Sequence, residues 1–207
     1  MDLKATHFLM EVEEIKNKTN TNFMVGFKNT HSKVYYSDPP YMILNRKLLS
    51  QGDDLYGVFY HELGHIINPV DNSLRSSFIL ARTLSLAQIL FIPFVDILGK
   101  VIHFNTGINA VFATFSLFYL IKFLLNRQFK DLSDELQKNE YLADAFSHLN
   151  DPTQSLLKRF KRKKTILMLA DILVRALPVF ALITHPMINK RIKALEEQAF
   201  IDKVKKI

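Results

Sequence analysis

Residues 54–67 read Asp-Leu-Tyr-Gly-Val-Phe-Tyr-His-Glu-Leu-Gly-His-Ile-Ile, and they contain the pattern His61-Glu62-Leu63-Gly64-His65. The spacing of apolar residues predicts an α-helix that Asn68-Pro69 ends. On a helix, histidines at i and i+4 lie on the same face, so both imidazoles can reach one Zn²⁺ ion at about 2.0–2.1 Å. Glu62 lies one step round the helix, where it can accept a proton from a zinc-bound water. The alternative is a helix that carries two histidines and a surface glutamate by chance.

A catalytic zinc site has three protein ligands and one open position, so a second element must supply the third ligand. Residues 132–149 predict a helix with Ser133 as its N-cap, and this helix carries Glu140 and Asp144 at i and i+4. Two such carboxylates usually repel each other on an exposed helix. Their spacing is explained if one binds a cation and the other orients a ligand. A solvated acidic face is the alternative interpretation.

Composition restricts the possible chemistry. The 207-residue chain has no cysteine, which excludes disulfides, a thiol nucleophile and every zinc site that uses cysteine. A metal would have to be held by His, Asp or Glu. The net charge of +7 indicates an anionic partner, either nucleic acid or a membrane surface. The chain contains no P-loop, no Rossmann glycine pattern and no Gly-x-Ser-x-Gly elbow.

The remaining patterns predict a mainly α fold with a small β-sheet (α+β). An amphipathic surface helix is expected over about 3–17, short strands over 23–27, 34–36 and 41–44, and several N-cap candidates for the histidine helix over 50–54. An extended peptide can bind to a protein as an added strand at a sheet edge. Either 34–36 or 41–44 is expected to form that edge.

The least polar part of the chain predicts a hydrophobic helical hairpin. Residues 76–95 and 107–125 are each close to the length of about 20 residues that a bilayer requires, although Arg82 and Lys122 interrupt them. The alternative is a buried hairpin in a soluble protein. Residues 166–184 are also apolar, but Pro178 and a possible Asp171–Arg175 pair favour a core helix. The expected parts are 1–75, 76–126 and 127–207, of which the first and third form one catalytic domain.

Charged residues next to the hairpin predict which side of the membrane the catalytic part faces. Arg75, Arg127 and Lys130 flank the hairpin on the catalytic side, whereas its loop carries only Lys100, so the catalytic side is expected to face the cytoplasm from the cell membrane. The first residues do not form a secretion signal, which agrees with that placement. The basic run at 158–164 is consistent with a solvated face, an anionic-lipid contact or, least favoured, a nucleic-acid patch.

Three ordered motifs resemble the HtpX and CaaX-prenyl-protease type of membrane-associated zinc metallopeptidase. They are the His-Glu-Leu-Gly-His at 61–65 followed by Asn68, the Glu140-Tyr-Leu-Ala-Asp144 segment, and Thr184-His185-Pro186 with Arg191, Ile192 and Leu195. The resemblance implies a gluzincin-like core that the hydrophobic hairpin interrupts. It also implies that the chain acts on peptide bonds.

The resemblance further implies a role for each motif residue. His61, His65 and Glu140 would bind one zinc ion per chain, and Glu62 would be the general base. Asp144 would steady a ligand histidine, and Asn68 would lie beside the site unless it only ends its helix. His185 and Arg191 would lie near the reacting groups, with His185 in contact with the oxyanion.

The sequence therefore predicts a zinc-dependent metalloendopeptidase of membrane or cytoplasmic proteins. Its expected partners are a protein or peptide substrate and the lipid bilayer, without nucleic acid, and the sequence does not determine its oligomeric state. Two alternatives remain at this point. One is a soluble peptidase with the same site, and the other is a membrane sensor or scaffold that holds zinc without cleaving peptides.

Overall fold

A computed structural model describes residues 3–70, 76, 83, 116, 119–120, 123–124, 127, 130–176 and 186–197. The predicted α+β class is confirmed, because the described chain is mostly helical with one small mixed sheet. The strands are β1 (Met24–Lys28), β2 (Lys33–Tyr35) and β3 (Tyr41–Asn45), and a 3₁₀ turn follows over Arg46–Ser50. The helices are α1 (Leu3–Thr19), α2 (Asp53–Ile67), α3 (Lys130–Asn150), α4 (Ser155–Arg162), α5 (Lys164–Ala176) and α6 (Ile188–Glu196).

The sheet has the strand order β1-β3-β2. β1 pairs with β3 in parallel, with Met24 opposite Tyr41, and β2 pairs with β3 antiparallel, with Tyr35 opposite Tyr41. Because β3 has a partner on both sides, it cannot offer a free edge. The expectation that 41–44 forms the substrate edge is therefore wrong, and of the two candidate runs only the one in β2 lies at an edge.

The core of the sheet region joins α1, α2 and the strands through aromatic side chains. The rings of Phe8 and Phe59 meet edge to face at 5.3 Å, and Phe23 packs on Phe59 at 6.3 Å. Leu63 on α2 and Leu44 on β3 are fully buried in the same cluster. The histidine helix is thus anchored by its apolar face, and its other positions can carry polar functional side chains.

One predicted helix start agrees with the structure and the other differs. The N-cap of α2 is Gly52, at φ +58°, which lies within the predicted range 50–54, although no side chain caps the helix there. Ser133 lies inside α3 rather than before it, and its hydroxyl accepts a hydrogen bond from Gln137.

The chain divides into two compact units. One unit comprises Met1–Pro69, Asn139–Lys164 and Ile188–Ile207, and the other comprises Val70–Lys138 and Thr165–Met187. Most of the predicted hairpin over 76–126 lies outside the described residues. Within the described ranges, no helix combines the length and the apolar character that crossing a bilayer requires.

α5 differs from the core helix that the sequence predicts over 166–184. Ile166, Leu169, Ile172 and Leu173 are exposed, with Ile166 at 72 %. They recur every three or four residues and so share one face of the helix. The side chain of Arg175 and the end of the predicted segment lie outside the described residues, so the Asp171–Arg175 pair stays a prediction.

Part of the basic run at 158–164 is neutralised within the fold. Arg162 donates a hydrogen bond of 2.5 Å to Asp54, which is buried at the start of α2, and Arg159 lies 3.9 Å from the same carboxylate. Lys161 pairs with Glu196 on α6 at 2.6 Å. These residues hold α4 against its neighbours, so the run is not uniformly a solvated face.

Candidate metal centre

The candidate centre forms where α2 and α3 approach each other closely. A Cβ atom added at Gly64 would lie 2.8 Å from the Cα of Ala143, so only glycine fits there without a shift of backbone. Farther along the same two helices, the buried Ser147 hydroxyl donates a hydrogen bond of 2.8 Å to the Gly57 carbonyl. Small residues at this crossing let side chains from both helices reach a common point.

His61, His65 and Glu140 meet at that point. The Nε2 atoms of the two histidines are 3.2 Å apart. Glu140 Oε1 lies 3.5 Å from His65 Nε2, and Oε2 lies 3.7 Å from His61 Nε2. Within the described part of the chain, these three residues form a group whose possible ligand atoms all lie within 4.8 Å of one another.

The separations fit a shared tetrahedral ion. Ligand atoms about 2.0–2.1 Å from a tetrahedral ion lie about 3.4 Å from one another. The 3.2 Å between the two Nε2 atoms is close to that value, and the Nε2 atoms of His65 and His61 lie 3.5 and 3.7 Å from different oxygens of Glu140. Two imidazoles and one carboxylate are also a donor set that zinc accepts, and one that leaves a coordination position open.

Asp144 and Arg191 support the first histidine. Asp144 is 1 % exposed, and its Oδ1 lies 2.9 Å from His61 Nδ1. The distance suits an ion pair, but the imidazole N–H is not aligned for a hydrogen bond. Arg191 on α6 donates two hydrogen bonds of 2.6 Å to Asp144, and its Nη2 lies 3.3 Å from Glu140. Arg191 is therefore held by two carboxylates of the centre, one of them from the metal cluster.

Asn139 supports the second histidine, and the sequence reasoning missed it. Its Oδ1 lies 2.5 Å from His65 Nδ1, and its Nδ2 donates a hydrogen bond of 2.6 Å to the backbone carbonyl of Asn68. The available signal was its position directly before Glu140 on the same helix. Asn68 is the C-cap of α2 and contributes this carbonyl, whereas its side chain turns back to Gly64 O at 3.5 Å.

Two pKa shifts describe the electrostatics of the centre. Burial alone would lower the pKa of His65, but the hydrogen bond and charge of Glu140, the charge of Glu62 and the contact with Asn139 raise it above its ordinary value. Burial would raise the pKa of Asp144, yet Arg191 and His61 hold it below its ordinary value. A field that favours a proton on a buried histidine also favours a metal cation.

Two further residues complete the comparison with the sequence. Glu62 is buried on α2, next to His61 in the chain, and its charge acts on His65 although it is outside the metal cluster. His185 lies outside the described residues, so its predicted contact with the oxyanion stays a prediction.

The family model of peptidase family M48 matches residues 1–199. Neither the search of curated proteins nor the search of solved structures found a match. M48 is the family of the HtpX and CaaX-prenyl-protease metallopeptidases, so the predicted resemblance is confirmed. With 199 of its 207 residues matched and a possible metal site at His61, His65 and Glu140, the chain belongs to peptidase family M48.

Proposed function

We propose that this member of the family is a zinc metalloendopeptidase that hydrolyses peptide bonds within membrane or cytoplasmic proteins. The observation that carries the proposal is the His61, His65 and Glu140 cluster, whose possible ligand atoms all lie within 4.8 Å of one another. Family membership supplies the class, a metallopeptidase. The identity of the metal as zinc, one ion per chain, is inferred from the donor set.

The proposed mechanism assigns one task to each group. Zinc, when bound, lowers the pKa of a water molecule and polarises the peptide carbonyl. Glu62 accepts the proton of the attacking water and then donates it to the leaving amine. Asp144 and Arg191 hold His61 and Glu140 in place. His185 is proposed to contact the oxyanion, as the family resemblance implies.

The substrate is proposed to bind as an added strand along β2. β2 lies at the edge of the sheet, and it contacts α2, the helix that carries both histidines. An extended peptide paired with an edge strand is held by backbone hydrogen bonds, which are independent of side-chain identity. Such binding suits an enzyme that cleaves within extended segments of proteins.

The lipid bilayer is the second proposed partner, and the catalytic side would face the cytoplasm from the cell membrane. The support is α5, whose exposed Ile166, Leu169, Ile172 and Leu173 directly follow Lys163 and Lys164. Apolar side chains next to lysines favour an anionic lipid surface.

A membrane test compares extraction from lipid. Leu169→Asn with Leu173→Asn should release part of the protein from membranes without detergent. Met10→Asn with Met24→Asn is the matched control, because those side chains are also exposed and apolar but lie in the other unit. Extraction of the unmodified protein without detergent would favour the soluble alternative.

The peptidase test measures zinc content and casein cleavage side by side. Wild type and Glu62→Gln should each bind about one zinc, and only wild type should cleave. Glu135→Gln is the control, since this exposed residue pairs only loosely with Lys138, at 3.5 Å, and should retain full cleavage. Zinc in both proteins with cleavage in neither would favour a sensor or scaffold, and no zinc in either would refute the site.

A further inference from the structure

Asn139 makes two hydrogen bonds of opposite polarity. Its amide oxygen faces His65 Nδ1 at 2.5 Å, and its amide nitrogen faces the Asn68 carbonyl at 2.6 Å. The three residues come from two separate parts of the chain, the end of α2 and the middle of α3. One side chain therefore connects a candidate metal ligand to the end of the helix that carries it.

The Asn68 carbonyl fixes the orientation of that amide. A backbone carbonyl can only accept a hydrogen bond, so the NH₂ group of Asn139 must face it. The amide oxygen then faces His65, and because this oxygen can only accept, Nδ1 of His65 must carry the proton. In a neutral imidazole the other nitrogen, Nε2, is then left with its lone pair.

The unprotonated nitrogen is the one that faces the cluster. His65 Nε2 lies 3.2 Å from His61 Nε2 and 3.5 Å from Glu140 Oε1. Metal-binding histidines commonly donate their other N–H to an oxygen, which fixes both the tautomer and the ring orientation. Here an uncharged amide supplies that oxygen for His65, whereas the carboxylate of Asp144 lies beside Nδ1 of His61.

An amide also limits the negative charge of the centre. Glu62, Glu140 and Asp144 are all buried, and Arg191 is the cation that contacts two of them. A carboxylate at position 139 would add a fourth negative charge and would face the Asn68 carbonyl oxygen. The amide orients His65 without either cost.

We propose that Asn139 is a positioning residue that locks His65 in the Nδ1-protonated tautomer and so presents Nε2 to the metal. The inference rests on the proposed function, because it takes His65 to be a zinc ligand. Asn139 acts through His65 and does not touch the substrate. It is thus distinct from Glu62, which acts on the reacting groups.

The first test reads the tautomer in metal-free protein by nitrogen-15 NMR of the histidine rings, at a pH where His65 is neutral. Wild type should show His65 protonated at Nδ1. Asn139→Asp keeps an acceptor and should keep that tautomer, whereas Asn139→Ala should shift it towards Nε2, the form that a water-exposed imidazole favours. If Asn139 only held the end of α2 through the Asn68 carbonyl, Asn139→Asp and Asn139→Ala would show the same His65 tautomer. That result would overturn the proposal.

The second test measures zinc affinity by competition with a chelator. Asn139→Ala should weaken binding about 10- to 100-fold, the usual effect of losing a group that orients a ligand. Asn150→Ala is the matched control, because Asn150 is on the same helix and donates a hydrogen bond of 2.8 Å to the Phe146 carbonyl. It should bind zinc as wild type does.

The outcomes separate the two proposals. Equal zinc affinity in wild type and Asn139→Ala would refute the role of Asn139 and leave the peptidase intact. Failure of wild type itself to bind zinc would refute the proposed function, whereas the tautomer would still be measured in metal-free protein.

Discussion

Arg191 and Asp144 form a bidentate ion pair in which Nε and Nη2 of the arginine each donate a hydrogen bond of 2.6 Å. Asp144 in turn lies beside Nδ1 of His61. The residues of this pair are 47 positions apart, on α3 and α6. The position of a candidate metal ligand therefore depends on the packing of a third helix.

Arg191→Ala should destabilise the metal-free protein by about 3–5 kcal/mol, because it leaves the buried carboxylate of Asp144 without its cation. Urea titration measures this loss. Lys193→Ala on the same helix is the control, since its pair with Glu197 is long and exposed and should contribute less than about 1 kcal/mol. Equal losses of stability in the two variants would mean that the buried pair contributes no more than the exposed one.

Gly64→Ala should weaken zinc binding as well as folding. The added methyl group would press on Ala143 and move α2 away from α3, at a cost of about 1–3 kcal/mol. Gly57→Ala is matched to it, because its methyl group would meet the Leu156 nitrogen at 2.6 Å on α4, about two helical turns before Gly64. We expect a similar loss of stability in urea for Gly57→Ala, with unchanged zinc affinity of the folded protein. Equal zinc affinities would contradict the role of the Gly64 contact.

Asp151→Asn should lower the free energy of unfolding near neutral pH and should change it little in acid. Asp151 accepts hydrogen bonds from the backbone and hydroxyl groups of Thr153 and Ser155, at 2.5–3.0 Å. Burial would raise its pKa, but these bonds hold the pKa below its ordinary value. The stabilisation is therefore present above the pKa of the unfolded carboxyl group and is lost as the pH falls through the lower folded value.

An asparagine can accept with one oxygen only, so the expected loss near neutral pH is about 1–3 kcal/mol. Urea titrations at several pH values measure the difference from wild type, which should shrink as the pH falls. The exposed Asp134, changed to Asn, is the control and should alter stability by less than about 0.5 kcal/mol. A difference for Asp151→Asn that is independent of pH would refute the role of its charge.

Tyr56 should ionise at a pH well above that at which an ordinary tyrosine ionises. Burial, together with the hydrogen bond and charge of Glu11 at 2.5 Å, raises the pKa of Tyr56 to about 12. Its contribution to stability is thus complete below the unfolded pKa of 10.0 and is lost as the pH rises through about 12.

A tyrosinate absorbance titration checks the Tyr56 shift, with Tyr56→Phe to assign the transition. Glu11→Gln keeps a hydrogen-bond acceptor and removes the charge, so it should lower the Tyr56 pKa. An unchanged transition in Glu11→Gln would exclude the charge of Glu11 as a cause and would leave burial and the hydrogen bond.

The sequence predicted best where a local pattern and a chemical requirement agreed. The histidine helix, the acidic helix and the three short strands follow from periodicity, and His61, His65 and Glu140 follow from the ligand set of a catalytic zinc. The spacing of Asp144 indicated a role in orienting a ligand. The family resemblance placed Arg191 near the reacting groups, but its pair with Asp144 was not predicted.

Other features depend on contacts that no local pattern contains. Asn139 shows no periodic signal, because its role depends on the end of a helix 71 positions earlier in the chain. The central position of β3 is likewise set by strand pairing between separate parts of the chain. The exposed face of α5 was missed because an apolar run alone does not distinguish a buried helix from one that presents its side chains outward.

The close contact of Gly64 and Ala143 has a consequence for how the chain can change through insertion and deletion. His65 and Asn139 are 74 positions apart, yet the site depends on a few small and polar residues at one helix crossing. Such a site constrains the contact between the two helices and not the number of residues that separate them in the sequence. An insertion or deletion is therefore compatible with the site only if it leaves this crossing unchanged, whereas one methyl group at the crossing cannot be added freely.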